Sequence, residues 1–391
     1  MSATISAVLA LEILFWLCAA LIVWTQVGYA LALALLVRMR SGISRSSPAL
    51  GDGPDAPLPQ LSLIVAAHDE ESVIAAKVQN ALALDYPRDL LEVIVACDGC
   101  TDATAERARA AGANLVLELP RGGKIRAQDA AVERARGEIV AFSDANAFWE
   151  QDAARVLLGA FADPIVGYAC GQVRFVQEAG EGNQEGVYWR YELGVRALES
   201  RLGSITAGNG AIYATRRTSY KVVDPIMGHD LSLPFNMVKG GWRAVYVPSA
   251  RASERMVPSL LGEFARKRRM MSHTWPIVLR GGMLSPHGYS PGYAVMILSH
   301  RVLRYVTPFL HLLAFVANLA VVLAGAGVLY TVTLVLQLAL LLAAALAGAV
   351  PLRPLLIARY YVLTTASPAA GLWDWLRHGT EASWEAAEGT R

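Results

Sequence analysis

Four cysteines in 391 residues are too few for a disulfide scaffold, and one of them, Cys18, lies inside an apolar run. Charge is scarce as well. At 17% charged against 54% hydrophobic residues the chain is more apolar than an average soluble protein, which points to a membrane component. A formal net charge of only +2 leaves no global basic field and excludes nucleic acid as an expected partner. No internal repeat of solenoid length is present.

Lys and Arg are missing before the first long apolar run, Ile13 to Val37, whereas Arg38, Arg40 and Arg45 follow it. At ~1.5 Å per residue the run exceeds a ~30 Å hydrocarbon core, and it lacks the basic start and short core of a cleaved signal peptide. The positive-inside rule then puts the N-terminus outside and the next domain in the cytoplasm, with Glu12 at the interface. Tyr305 to Leu352 likewise carries no Asp, Glu, Lys or Arg, a length that suits two spans turning at Gly325-Ala326-Gly327. Arg301 and Arg304 before this pair and Arg353 and Arg359 after it place all basic flanks on one side. Tyr360 to Trp373, shorter and holding Pro368, reads as interfacial or re-entrant, with a fourth span as the alternative.

What the middle contains is a Ser, Gly and Pro-rich linker, Ser41 to Gln60, followed by alternating strands and helices. Apolar runs predict strands at Leu61–Ala67, Leu91–Cys97, Ala113–Leu117 and Glu138–Phe142, and periodicity predicts helices near Glu70–Leu82, Asp102–Ala111 and Lys124–Ala135. Such alternation implies a parallel sheet covered on both faces. Ligands bind beyond the carboxyl ends of such strands. That edge would gather His68-Asp69-Glu70, Asp98-Gly99 and Asp144-Ala145-Asn146, although any one cluster alone could be a helix cap, as Thr101-Asp102 looks to be.

With their order and spacing, these residues resemble the membrane-anchored family 2 glycosyltransferases, which have the Rossmann-like α/β GT-A fold. The likeness runs from about Leu61 to Met271. L-I-V-A-A-H-D-E-E is similar to the family's opening strand ending in P-x-Y-N-E-E, A-C-D-G-C-T-D-A-T to its D-D-G-S-T-D-x-T, and F-S-D-A-N stands in place of the D-x-D metal motif. The resemblance implies a transmembrane anchor at 1–40, a linker at 41–60, the GT-A domain at 61–255, interfacial amphipathic helices at 256–300, two transmembrane helices at 301–352, and an interfacial or re-entrant segment with a tail at 353–391.

It also implies site residues. Ala67, Asp69, Glu70 and Asp98 would hold the nucleotide of a UDP-sugar, with Asp98 on the uracil. Asp144 and Asn146 would bind Mg2+ or Mn2+, the hard cations suited to a leaving diphosphate. Lys124, after the glycine pair of R-G-G-K, would meet the diphosphate beside backbone amides, and Arg266 and Arg269 match the spacing of the family's Q-x-x-R-W, here with Arg for Gln and Met270 for Trp. The basic run could instead meet anionic headgroups. Asp230 in I-M-G-H-D-L-S-L-P fits the general base, with a helix N-cap as the alternative, and His229 stands where an acidic residue is common. Gly208, Asn209 and Gly210 would border the acceptor. Asp144 could likewise cap its own turn.

Cys97-x-x-Cys100 shows neither the electropositive helix start of a redox pair nor further zinc ligands, so both are read as small packing residues. The expected activity is inverting transfer from a UDP-sugar, with a β-linkage, to a polysaccharide or lipid-linked acceptor at the inner face of the plasma membrane. The resemblance favours bacterial exopolysaccharide or cell-surface glycan synthesis. Three or four spans in one copy are too few to be expected to form even a narrow channel, so a polymer would need an oligomer or an export partner; single addition to a membrane lipid needs neither. A non-catalytic membrane assembly subunit is the rival from another class.

Overall fold

The structure, a computed structural model, describes residues 2–43, 58–176, 185–255, 260–325, 327–350 and 352–382. Most of the linker expected at 41–60 and the end of the tail lie outside the described residues. α1 (Ser2–Val23) and α2 (Tyr29–Ile43) are continuous through a π-helical turn, Trp24–Gly28. The α/β domain follows as β1 (Leu61–Ala67), α3 (Ile74–Leu82), β2 (Leu91–Asp98), α4 (Thr104–Ala110), β3 (Leu115–Leu119), α5 (Lys124–Arg134), β4 (Ile139–Asp144) and β5 (Phe148–Trp149). It continues with α6 (Ala153–Leu158), β6 (Val166–Val176), α7 (Glu185–Leu202), β7 (Tyr213–Arg216), α8 (His229–Lys239) and β8 (Arg243–Arg255). Then come α9 (Leu260–Leu279), α10 (Pro291–Met296), α11 (Leu303–Leu323), α12 (Val328–Leu346) and α13 (Arg353–His378).

All eight strands form one sheet in the order β3-β2-β1-β4-β7-β6-β8-β5. β1 is buried along its whole length because it has parallel neighbours on both sides, Leu61 lying opposite Leu91 of β2 and Ile139 of β4. Its side chains alternate: Leu61 and Leu63 join one core with Val93 and Ala141, while Ile64 joins another with Ile94 and Phe142. Chain order reverses between β1 and β4, which opens a crevice beyond their carboxyl ends. The parallel half matches the sequence expectation. The other half is mixed: β7 runs antiparallel to β4 and β6, β8 runs parallel to β6 with register shifts, and β5 is antiparallel to β8.

Some element ends differ from their predicted places for local reasons. β2 and β4 run on to Asp98 and Asp144, so both carboxylates sit on the last strand residue. β3 starts at Leu115 because Asn114 uses both its side chain and its N–H on Val93 before the ladder begins, at 2.8 and 2.9 Å.

Among the described residues, three helical segments are long and apolar enough to cross a membrane, Ser6–Arg40, Pro291–Leu323 and Val328–Leu346. The second starts earlier than the expected boundary at 301. Ser290 caps α10 by accepting from Tyr293 N, Pro291 opens it, and α10 runs through a π turn, Ile297–Val302, into α11. α1 packs on α11, with Phe15 and Cys18 against Ala314 and Ala317, while Leu17, Leu35, Val316 and Leu336 face outward. α13 is one helix without reversal, so a re-entrant path is not what forms at 353–378. It lies along α9, where Gly371 allows close approach to Met271, Trp275 Nε1 donates to Pro368 O at 2.8 Å, and Arg268 grips Asp374 with two bonds of 2.6 Å. Lys267 donates to Tyr360 Oη at 2.9 Å. Two charges of the basic run therefore hold α13.

Candidate active site

Asp98 closes β2 with 1% of its surface exposed. Its carboxylate accepts the N–H groups of Gly122, at 2.6 Å, and Gly123, at 3.0 Å from each oxygen. The glycine amides expected to face a diphosphate therefore already face an anion, and that anion is Asp98. Gly99, at φ 62°, lets the two loops touch, since a Cβ there would lie 2.9 Å from Arg121 N. Asp98 is thus placed as the fastener of the Arg121–Lys124 loop.

The neighbouring expected nucleotide residues are likewise engaged within the fold. Asp69, at φ 50°, accepts Thr101 N at 2.7 Å; Glu70 is buried and its N–H donates to Thr104 Oγ1 at 2.8 Å; Ala67 O accepts the Cys100 thiol at 3.5 Å. Donor atoms of His68, Asp69 and Cys100 come within 4.8 Å of one another, a grouping the linear spacing conceals. Cys97 is buried as a packing residue should be, and Asp102 accepts Thr104 N at the start of α4, as a cap does.

Lys124 is the first residue of α5, and its ammonium is paired with Asp144 at the end of β4. Burial opposes the charge of Lys124, but Asp144 and then Asp230 hold its pKa above the ordinary lysine value. The turn after β4 is closed by the backbone, Ala147 N donating to Asp144 O at 3.2 Å, so the Asp144 carboxylate is not the cap. A Cβ on Gly210 would lie 3.4 Å from Lys124 Nζ and 3.7 Å from Asp144 Oδ2, which puts the Gly208–Gly210 loop at the wall of this pair. Gly208 N donates to Asp230 O at 2.7 Å and brings the start of α8 to the same place. The N-cap of α8 is Gly228 and no side chain caps the helix, so the capping alternative for Asp230 is not what the geometry holds.

Asn209 and His229 turn away from the role expected of them. Asn209 donates to Gly171 O at 2.7 Å and accepts Ala211 N and Ile212 N, so it builds the loop rather than presenting an amide to an acceptor. Gly208 lets Tyr168 pack close, because a Cβ would meet its Oη at 2.0 Å. His229 is buried with Nδ1 2.9 Å from Tyr213 Oη and Nε2 3.3 Å from Tyr220 Oη. Burial and then Lys124 push its pKa down to about 3. An unfolded histidine takes its proton near 6.5, so between pH 6.5 and 3 the unfolded chain binds more protons and stability falls on acidification, by at most about 1.4 kcal/mol per pH unit. His229→Gln, which can still reach both hydroxyls, is expected to flatten the fall in melting temperature between pH 6.5 and 5; an unchanged slope would remove His229 as its source.

Two charged residues escaped the sequence reading. Glu254, near the end of β8, is pushed up to about 7 by burial and then by the Asp144 charge, against Lys124, Arg266 and Lys77. Lys77 is wholly buried, and burial lowers its ammonium to about 7 despite Asp144 and Glu254. The signal for Lys77 was present: Ile74, Lys77, Val78 and Ala81 occupy i, i+3, i+4 and i+7, a core stripe with a cation in it. Glu254 had only its place near a strand end. Arg266 acts on Glu254, and Arg269 acts on His273, whose ring also feels Asp230. A hard divalent cation suits the oxygen donors here, the carboxylate of Asp144, which is paired with Lys124, and that of Glu254, which feels the Asp144 charge, with the Asn146 amide oxygen on the turn after β4.

A sequence model described as glycosyltransferase like family 2 matches residues 59–272, more than half of the chain. A beta-monoglucosyldiacylglycerol synthase from Synechocystis is 34% identical over 168 residues, 39% of this chain and 33% of that protein. An N-acetylglucosaminyltransferase from Rhizobium leguminosarum bv. viciae is 26% identical over 233 residues, 54% of each. The chain thus spans between a third and about half of the length of these two relatives. Among solved structures, a mannosyltransferase from Pyrobaculum calidifontis in complex with GDP-Man and Mn2+ has a TM-score of 0.68 at 22% identity, over 93% of this chain and 99% of that one, which shows a shared fold. The chain belongs to the glycosyltransferase like family 2, on an α/β sheet of the GT-A type.

Proposed function

We propose that the protein is a membrane-bound, inverting hexosyltransferase that moves a sugar from UDP to a hydroxyl of a lipid-linked or polysaccharide acceptor at the cytoplasmic face of the plasma membrane. The observation that carries this reading is the joining of Asp230 to the Lys124–Asp144 pair through the Gly208–Gly210 loop. In this mechanism the acceptor hydroxyl gives its proton to the Asp230 carboxylate as its oxygen attacks the anomeric carbon from the face opposite the diphosphate. One bond forms and the sugar–phosphate bond breaks, which inverts that carbon and gives a β-linkage from an α-linked donor. Asp144, Asn146 and Glu254 would hold Mg2+ or Mn2+, whose chemistry is to neutralise the leaving diphosphate. Lys124 adds a fixed positive charge on the same side, with Arg266 and Arg269 approaching from α9.

Single addition to a membrane lipid is the form best supported. The acceptor-side loop begins at Thr206, whose Oγ1 accepts from Arg301 Nε of a membrane-spanning segment at 2.8 Å, so this wall of the cleft is built on the membrane helices. The name of the Synechocystis relative agrees with a lipid acceptor. Polymer synthesis for export, and a non-catalytic assembly role, are the readings the test must separate from it. Purified protein with membrane lipids, a panel of UDP- and GDP-sugars and Mn2+ or Mg2+ is expected to release UDP and yield one lipid product heavier by a single hexose, its linkage β by NMR coupling. A ladder of masses would mean polymerisation, and no nucleotide release with any donor would sink the enzyme reading.

A further inference from the structure

Lys77 has no part in the reaction above, yet it is 0% exposed on the face that α3 turns into the core. An apolar side chain would complete the stripe of Ile74, Val78 and Ala81 without taking a charge out of water. The position of its ammonium accounts for this cost. Nζ donates at 2.5 Å to the carbonyl of Ala147, the residue whose N–H closes the turn on Asp144 O. One helical step along α3, Asn80 holds both backbone groups of Trp149, accepting from N at 3.0 Å and donating to O at 2.9 Å. Ser143 Oγ adds bonds to Asp144 O and Ala147 O at 3.2 and 3.4 Å.

The turn that carries Asp144 and Asn146 is therefore pinned from beneath by one face of a helix. The Trp149 ring lies 5.6 Å from the same ammonium, and its Nε1 donates to Ala211 O at 3.0 Å, directly after the Gly208–Gly210 loop. A bond from a charged donor is shorter and stronger than a neutral one. We propose that Lys77 is a positioning residue of the cation-binding turn, fixing through Ala147 the backbone from which Asp144 and Asn146 present their oxygens. It touches no reacting atom. Residues that orient metal ligands from behind affect metal affinity far more than their distance suggests. The proposal rests on the cation-dependent mechanism above and adds to it a residue on another element.

The test uses the full chain in detergent, titrated with MnCl2 in the presence of UDP, with free Mn2+ read by electron paramagnetic resonance and unfolding followed by heating. Lys77→Met is expected to weaken Mn2+ binding about 10- to 100-fold, with a melting temperature that stays level or rises because a buried charge has left the core. Lys77→Gln, whose amide can still donate to Ala147 O, is expected to keep part of that affinity. Unchanged Mn2+ affinity in both variants overturns the proposal. So does a chain that no longer folds after Lys77→Met, since that assigns the lysine to stability alone. If the unaltered chain takes up no Mn2+, the cation-dependent mechanism itself fails and takes this proposal with it.

Discussion

Asp230→Asn is expected to lower transfer about 10²- to 10⁴-fold while UDP-sugar binding stays within about twofold of the parent. The change is isosteric, and the local fold does not depend on the carboxylate. The bond that ties Asp230 to the acceptor-side loop is made by its backbone carbonyl, 2.7 Å from Gly208 N, and α8 is not capped by its side chain. What the amide loses is the capacity to take the acceptor's proton. A decline in kcat with little change in donor KM is therefore the signature, and turnover with UDP-sugar and acceptor, set beside equilibrium donor binding, checks it. Equal turnover in the two proteins would remove Asp230 from the chemistry. A parallel loss of donor binding would instead place it in the donor site.

The contrast between Asp230 and Asp98 shows how far linear motifs reach. Both occur in recognisable motifs, but only Asp98 ends a buried strand run, L-E-V-I-V-A-C-D, whereas Asp230 lies in the first turn of α8 and reaches the site through Gly208. Strand ends were legible from apolar runs, and so were the parallel half of the sheet and the long apolar helices. Which partner each carboxylate would meet was not, because that depends on a second loop 24 residues away, folding Gly122 over Asp98. The same holds for Asn209 and His229, whose polar atoms are satisfied by Gly171, Tyr213 and Tyr220, residues brought near by the mixed half of the sheet. That half was opaque in its own right. β6 and β8 are long and carry polar residues, β6 also two glycines and β8 Pro248, and their register shifts hide the two-residue period. Lys77 and Glu254 needed tertiary structure for a different reason: a lysine in a core stripe or a glutamate near a strand end has meaning only once the fold brings both within reach of the Asp144 charge.

Glu192→Gln is expected to destabilise the protein by about 3–5 kcal/mol, the cost of leaving buried cations without their partner. The joint between the sheet domain and the long apolar helices is a charge cluster in which almost every group is buried. Glu192 of α7 pairs with Arg304, with His300 Nε2 at 3.0 Å and with Arg301 at 3.3 Å. Glu199, two turns on, accepts Tyr29 Oη of α2 at 2.8 Å and Thr206 N at 3.0 Å and lies 2.7 Å from His300 Nδ1. After the substitution, two arginines and a histidine would face one remaining carboxylate in a setting with little water to screen them. Burial opposes ionisation, yet Arg304, His300 and Arg301 hold the Glu192 pKa well below its ordinary value of 4.5. The stability this contributes is therefore complete above pH 4.5 and is lost as pH falls through the lower, folded value. Melting temperature in detergent at pH 7 is expected to drop sharply for Glu192→Gln, the gap to the parent should narrow below pH 4.5, and adding Arg304→Met should recover part of the loss. Transfer should fall more than donor binding, because Arg301 of this cluster holds Thr206 at the base of the acceptor-side loop. A variant that melts with the parent at pH 7 would show that the long apolar helices hold the sheet domain by packing alone.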